Sequence, residues 1–290
     1  MEARMQKPVV ILPSLCDPGA VLGIPDTFAL FMDIAAEHAQ ALGCGVYDLG
    51  AKGLFWLTVR TRVRFFRRPA LMERVTLSTW PEAPGRLRTE RDYLLEGNGS
   101  VLAAGKTEWA VLDQATGKLT PPALVYPPDL DFRPGAVWTE PFSRLPDGPL
   151  EEYARYTVRS TDMDLGGHMN NVAYVRALAG TFTGGEWKKL DPREVEIAYR
   201  TPCHEGDTLI WQRQAGEDGS LSLRAALADG TTAVLAKIKY TYRKEQKHGV
   251  RHPVGEHGIP REPAHPLDRQ PFGRQPEELL FHPLEHAQAL

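Results

Sequence analysis

Cysteine is scarce in this 290-residue chain: Cys16, Cys44 and Cys203 make an odd number with no close pair. A dense disulfide framework is therefore excluded, and a reducing, cytoplasmic setting is expected. Long apolar runs are absent too, and nothing approaches the roughly 18 residues that a spanning helix needs. The first 16 residues hold only a short apolar stretch broken by Pro8 and Pro13, without the length or cleavage pattern of a secretory signal. No excess of one charge sign exists: 34 basic against 37 acidic residues leave a net charge of -3, which argues against a globally basic nucleic-acid binder. The glycine strings match neither GxGxxG nor a phosphate-loop pattern, and no recognised zinc-ligand spacing occurs, so no metal and no cofactor is expected. Apolar residues at 42% and charged residues at 24% are ordinary for a folded protein.

What is present in surplus is proline, with 24 residues. Eight fall within residues 113–152, and seven more within residues 246–290, which also carry six of the nine histidines. Proline cannot donate to a ladder and breaks helices, so the first cluster reads as a linker or crossover. The second has no sustained apolar period and reads as a disordered tail. This divides the chain into residues 1–115, a linker over 116–151, residues 152–245, and the tail 246–290.

The two folded pieces resemble each other. Phe66, Arg67 and Pro69 match Tyr199, Arg200 and Pro202, and Gly97, Val101, Leu102, Ala103 and Lys106 match Gly230, Val234, Leu235, Ala236 and Lys239, all at an offset of 133 (199 minus 66). Any two β-hairpins share some likeness, but one offset across two separated blocks favours duplication. Each half reads as a helix followed by strands. Pro25, Asp26 and Gly43 bound a helix over 24–43, with Phe28, Phe31, Met32, Ala35, Ala39 and Leu42 at helical spacing. Strand patterns follow at 54–66, 74–80, 86–97 and 100–113. The second half repeats this with a helix over 170–182 and strands at 194–200, 207–214, 220–228 and 232–243. Glu37 and His38 fall beside the apolar stripe and are expected to flank the core. The fold class is α+β, each sheet wrapped around its own helix.

The densest polar constellation is Asp162, Asp164, His168, Asn170 and Asn171, just ahead of the second helix, with Gly166 and Gly167 allowing a sharp turn. Free N–H groups at a helix start can hold an oxyanion, and a carboxylate with an imidazole can activate water. Structural roles are open for the same residues: aspartates cap turns, Asn170 caps the helix, and Cys203 packs as a small hydrophobe.

Asp164-Leu165-Gly166-Gly167-His168-Met169-Asn170-Asn171 resembles the Asp-x-Asn-x-His-Val-Asn-Asn signature of the acyl-acyl-carrier-protein thioesterases. Residues 27–43, 54–60, 67–69, 78–80 and 91–93 follow that family's order. The resemblance implies a tandem, or double, hotdog over about residues 8–245, and hydrolysis of fatty acyl thioesters. It implies Asp164 and His168 as catalytic residues, and Asn170, Asn171 and Cys203 beside the substrate. Two positions depart from the family: its Asn is Gly166, and the Glu preceding its Cys is Pro202. Glu205 is the candidate substitute. An acyl-CoA thioesterase, or a weak acyl-binding hotdog protein, is the alternative. Either a monomer of tandem hotdogs or a homodimer fits.

Residues 54–66 alternate an apolar face with a basic one carrying Arg60, Arg62 and Arg64, which Arg67 and Arg68 extend. This reads either as a solvated sheet face or as a dock for an acidic acyl carrier protein or the phosphates of pantetheine. No aromatic interleaving points to nucleic acid. Phe28, Phe31, Met32, Trp56 and Leu57 are candidates to line an acyl tunnel, and equally good core residues.

Overall fold

A computed structural model describes residues 3–132, 135–148 and 150–242; the tail read from 246–290 lies outside the described residues. The first repeat runs β1 (Met5–Val10), α1 (Ile24–Ala41), α2 (Val46–Gly50), β2 (Leu54–Phe65), β3 (Arg74–Pro81), β4 (Thr89–Gly97), β5 (Ser100–Asp113) and β6 (Leu119–Thr120). The second runs β7 (Glu151–Thr157), α3 (Asn171–Gly180), α4 (Gly184–Lys189), β8 (Leu190–Tyr199), β9 (Thr208–Ala215), β10 (Ser220–Ala226) and β11 (Thr232–Tyr242).

All strands join one antiparallel sheet in the order β1-β3-β4-β5-β2-β8-β11-β10-β9-β7, with β6 beside β5. Each half contributes the same five-strand order, and the halves meet where β2 pairs with β8. This is the double hotdog, with one buried apolar cluster drawing on both repeats. The edge strands β1 and β7 escaped the sequence pattern. Each pairs on one side only, so β1 tolerates Pro8, and β7 keeps a largely exposed, polar sequence.

Helix α1 forms where Pro25 presets the first turn and Asp26 meets the positive end of the helix dipole. It stops at Gly43, whose φ of 70° suits glycine. Phe28 and Phe31 are sealed inside, and Phe31 stacks on Tyr93 of β4 at 4.8 Å and 11°. Gly105 of β5 permits this approach, since a Cβ there would lie 2.6 Å from Phe31 Cε2. Gly105→Ala is therefore expected to cost about 1–3 kcal/mol by overpacking. Denaturant unfolding would read this, and an unchanged midpoint would contradict the close contact. His38 does not flank the core; it is buried, with Nδ1 3.0 Å from the Arg91 guanidinium.

The duplication survives, but its register differs from the sequence match. Phe66 and Arg67 both donate N–H to Leu102 O, and Arg200 and Thr201 both donate to Ala233 O. Those equivalences correspond to offsets of 134 (200 minus 66) and 131 (233 minus 102). Matching Val101 to Val234, as identity alone suggests, would equate a residue 39% exposed with one fully buried. A one-residue slip reverses every side chain in a strand, so burial decides the register.

The basic face of β2 is not a free surface. The proline-rich segment crosses it on the way to the far sheet edge. Gly135 O accepts from Trp80 Nε1 at 3.2 Å, Trp138 O from Lys106 at 3.1 Å, and Pro141 O from Arg62 at 2.8 Å. Phe142 lies under Arg60 and Arg62, and Trp138 under Arg64. Every proposed docking arginine also has a carboxylate: Arg60 with Glu108, Arg62 with Glu196, Arg64 with Glu194, Arg67 with Glu73 and Arg68 with Asp17. Arg62, 3% exposed, is closed away from any partner, whereas Arg67 keeps 49% of its side chain exposed. Glu108, Glu194 and Glu196 come from other strands, so single-strand periodicity could not show them. A register shift between Thr58 and Arg60 also turns Thr58 inward, where it is buried.

Candidate active site

The motif begins after β7 with a single 3-10 turn, Ser160–Asp162. Asp162 fixes this turn, its Oδ2 accepting from Tyr156 OH at 2.7 Å and Arg159 N at 2.8 Å. The next residues close a small loop: Asp164 N donates to His168 O at 2.8 Å, and Gly167, at φ 73°, donates to Asp164 O at 3.1 Å. Asp164 Oδ1 accepts from Gly166 N at 2.8 Å and His168 N at 3.3 Å. The aspartate thus shapes the turn that presents His168. Both side chains are exposed, and Leu165 at the loop tip is 94% exposed. A Cβ at Gly166 would lie 3.2 Å from Asp164 Oδ1 and 3.6 Å from His168 Nδ1. The family's Asn side chain at this position would start between the two groups.

The loop is tied to its surroundings at three points. Asn170 N donates to Asp162 O, Met169 N donates to Cys203 O, and Asn170 Oδ1 caps α3 by accepting from Val172 N, all at 2.8 Å. Asn171 Nδ2 donates to Thr58 Oγ1 of β2 at 2.8 Å, and Tyr199 OH donates to Asn171 O at 3.2 Å. Both asparagines therefore hold the helix start in place, and Thr58, which sequence reasoning missed, locks it to the first repeat. Cys203 is fully buried, its N–H donating to Tyr174 OH at 3.0 Å, and burial pushes its thiol pKa up. A buried, protonated thiol is a poor nucleophile. Brief treatment of the native protein with iodoacetamide is expected to leave Cys203 unlabelled in peptide mapping and activity intact.

Glu205 is exposed, and among the described residues no hydrogen bond or ion pair joins it to Asp164 or His168. His204 is nearer: its ring lies 5.1 Å from that of His168, at 64°. Its backbone N–H donates to Asp207 Oδ2 at 2.8 Å, and that oxygen is 3.9 Å from Nδ1. Its place directly after Cys203 was the available sequence signal. Among the described residues no group of three or more His, Cys, Asp or Glu is placed to hold a metal ion.

The first repeat carries a second copy of this loop. Asp17 N donates to Val21 O, Ala20 N to Asp17 O, Gly19 N to Asp17 Oδ1, Gly23 N to Leu15 O and Leu22 N to Pro69 O. Those five bonds match five of the Asp164–Cys203 loop, with Asp17 standing for Asp164, Val21 for His168, Gly23 for Asn170 and Pro69 for Cys203. Arg68 then occupies the place of Pro202, and its guanidinium contacts the Asp17 carboxylate. The shared Asp-x-Gly seven residues before each helix (17 to 24, 164 to 171) was legible in the sequence. The first copy has Val21 where the second has His168.

Of the lining candidates, Phe28 and Phe31 are closed into the core and Met32 packs half-buried against it. Trp56 sits elsewhere, beside Ala39, Leu42, Cys44 and Tyr126, with Nε1 donating to Cys44 O at 2.8 Å.

The family profile described as Acyl-ACP thioesterase N-terminal domain matches residues 16–122, and the one described as Acyl-ACP thioesterase C-terminal domain matches residues 150–249. The chain belongs to the acyl-ACP thioesterase family. As a family member it is 25% identical over 202 residues to oleoyl-acyl carrier protein thioesterase 1, chloroplastic, of Arabidopsis thaliana, covering 62% of this chain and 55% of that protein. It is 22% identical over 219 residues to palmitoyl-acyl carrier protein thioesterase, chloroplastic, of Gossypium hirsutum, covering 69% and 49%. The chain thus spans about half the length of the curated thioesterases it matches. Solved structures with the same fold include an acyl-ACP thioesterase from Bacteroides thetaiotaomicron, at TM-score 0.76 and 19% identity, covering 82% of this chain and 98% of that one. The 12:0-ACP thioesterase from Umbellularia californica follows at TM-score 0.73 and 18% identity, covering 83% and 98%. Among the described residues of this thioesterase-family chain, no helix is long and apolar enough to cross a membrane.

Proposed function

We propose that this protein hydrolyses the thioester of a fatty acyl-acyl-carrier protein and releases the free fatty acid. The observation that carries the reading is the closed Asp164–His168 loop at the start of α3, in a chain whose two halves both match the family. The acyl carbonyl would lie against the first-turn N–H groups of α3, of which the Val172 N–H is already taken by Asn170. His168 would deliver the proton to the leaving thiolate, with Asp164 holding its loop and Glu205 within the neighbouring one. The apolar chain would run along the face where α1 meets the sheet, past Met32.

Gly166 and Pro202 favour a second reading, an acyl-binding hotdog that turns over slowly, because both remove a polar side chain that the family pattern has. Steady-state hydrolysis of a panel of acyl-carrier and acyl-CoA thioesters of graded length separates the readings. Multiple turnovers, faster on the carrier-linked substrate, are expected. Binding of acyl carrier without turnover would sustain the second reading.

A further inference from the structure

We propose that His204 is a catalytic residue of this site, the general base that takes the proton of the attacking water; this rests on the hydrolase reading above. Three observations converge. The first repeat shows where position 202 points: its counterpart Arg68 reaches the Asp17 carboxylate that stands for Asp164. Pro202 therefore leaves that approach to the motif without a polar group. The rings of His204 and His168 are in contact at 5.1 Å, edge to face, so the loop after β8 still delivers a titratable group to the motif. Asp207 steadies the new group, accepting the His204 backbone N–H at 2.8 Å and lying 3.9 Å from Nδ1. That places a carboxylate on the Nδ1 side of the ring and leaves Nε2 to work.

Two ring nitrogens from separate loops can divide the two proton transfers of thioester hydrolysis between them. His204 Nε2 takes a proton as the water oxygen bonds to the acyl carbon. The tetrahedral anion collapses, the carbon–sulfur bond breaks, and the His168 imidazolium protonates the departing thiolate. One water is consumed, a carboxylic acid and a thiol are formed, and solvent carries the proton from His204 back to His168. The titratable side chains of the two loops are Asp162, Asp164 and His168 on one, and Cys203, His204, Glu205 and Asp207 on the other.

The test is the pH–rate profile of the full chain, as wild type, His204→Gln and His204→Asn, on an acyl-carrier thioester. The wild type is expected to give a bell-shaped kcat/KM profile. Both variants should lose about 10²–10⁴-fold in kcat, keep KM within a few-fold, and lose the ascending limb of the profile. His204 has 61% of its side chain exposed, so folding should be unaffected. A hydrolytically active wild type with variants unchanged in kcat and profile overturns the role of His204 and leaves the hydrolase reading standing. A wild type that hydrolyses no thioester overturns both.

Discussion

His168→Ala is expected to lower kcat on an acyl-carrier thioester by about 10²–10⁴-fold, the usual contribution of a positioned general acid or base. The side chain is exposed, so the thermal midpoint should move little. Asp164 calls for a finer experiment, because its Oδ1 is already engaged with the Gly166 and His168 N–H groups. Asp164→Ala removes charge and turn together and should fall in the same range as His168→Ala. Asp164→Asn keeps an oxygen acceptor for the two N–H groups and should recover part of the loss. Hydrolysis unchanged in both His168→Ala and Asp164→Ala would sink the assignment of this loop as the active site.

The second large effect concerns stability. Arg62 and Glu196 face each other across the β2–β8 seam, with side chains 3% and 1% exposed and a closest approach of 2.7 Å. Ser143 N of the crossing segment also donates to Glu196, at 2.9 Å. Glu196→Ala would strand the Arg62 charge away from water and is expected to cost about 3–5 kcal/mol in denaturant unfolding. The paired replacement Arg62→Met with Glu196→Leu should lie near the wild type or above it, since it removes both desolvation penalties. A double variant as unstable as Glu196→Ala would refute that account. Charge reversal of Arg62 and Arg64 is expected to weaken folding on any substrate, not to raise KM selectively for a carrier-linked one.

Much of the fold was legible because hairpin patterns and helix stops are local. Gly43 ends α1, the Gly97–Gly99 turn joins β4 to β5, and the expected elements lie within a few residues of those observed, the widest differences being β4, expected three residues early, and β8, expected four residues late. The motif was legible for the same reason: five polar residues lie within ten positions. His204 was not, because its value comes from a ring contact across two loops. Thr58 was hidden by a bulge that inverts its side chain, and the ion pairs of Arg64 and Arg62 were hidden because Glu194 and Glu196 arrive 130 and 134 residues later.

The amino-acid order by itself determined the duplication, the helix-and-meander content of each half, and the Asp164–His168 spacing. These depend on residues within one turn, one strand or one hairpin. Tertiary structure decided the register between the repeats, which arginines were already neutralised, that Cys203 is sealed, and which imidazole stands beside His168. Those outcomes depend on which strand lies next to which, and burial together with hydrogen-bond satisfaction selects that arrangement only once the whole sheet has closed around its two helices.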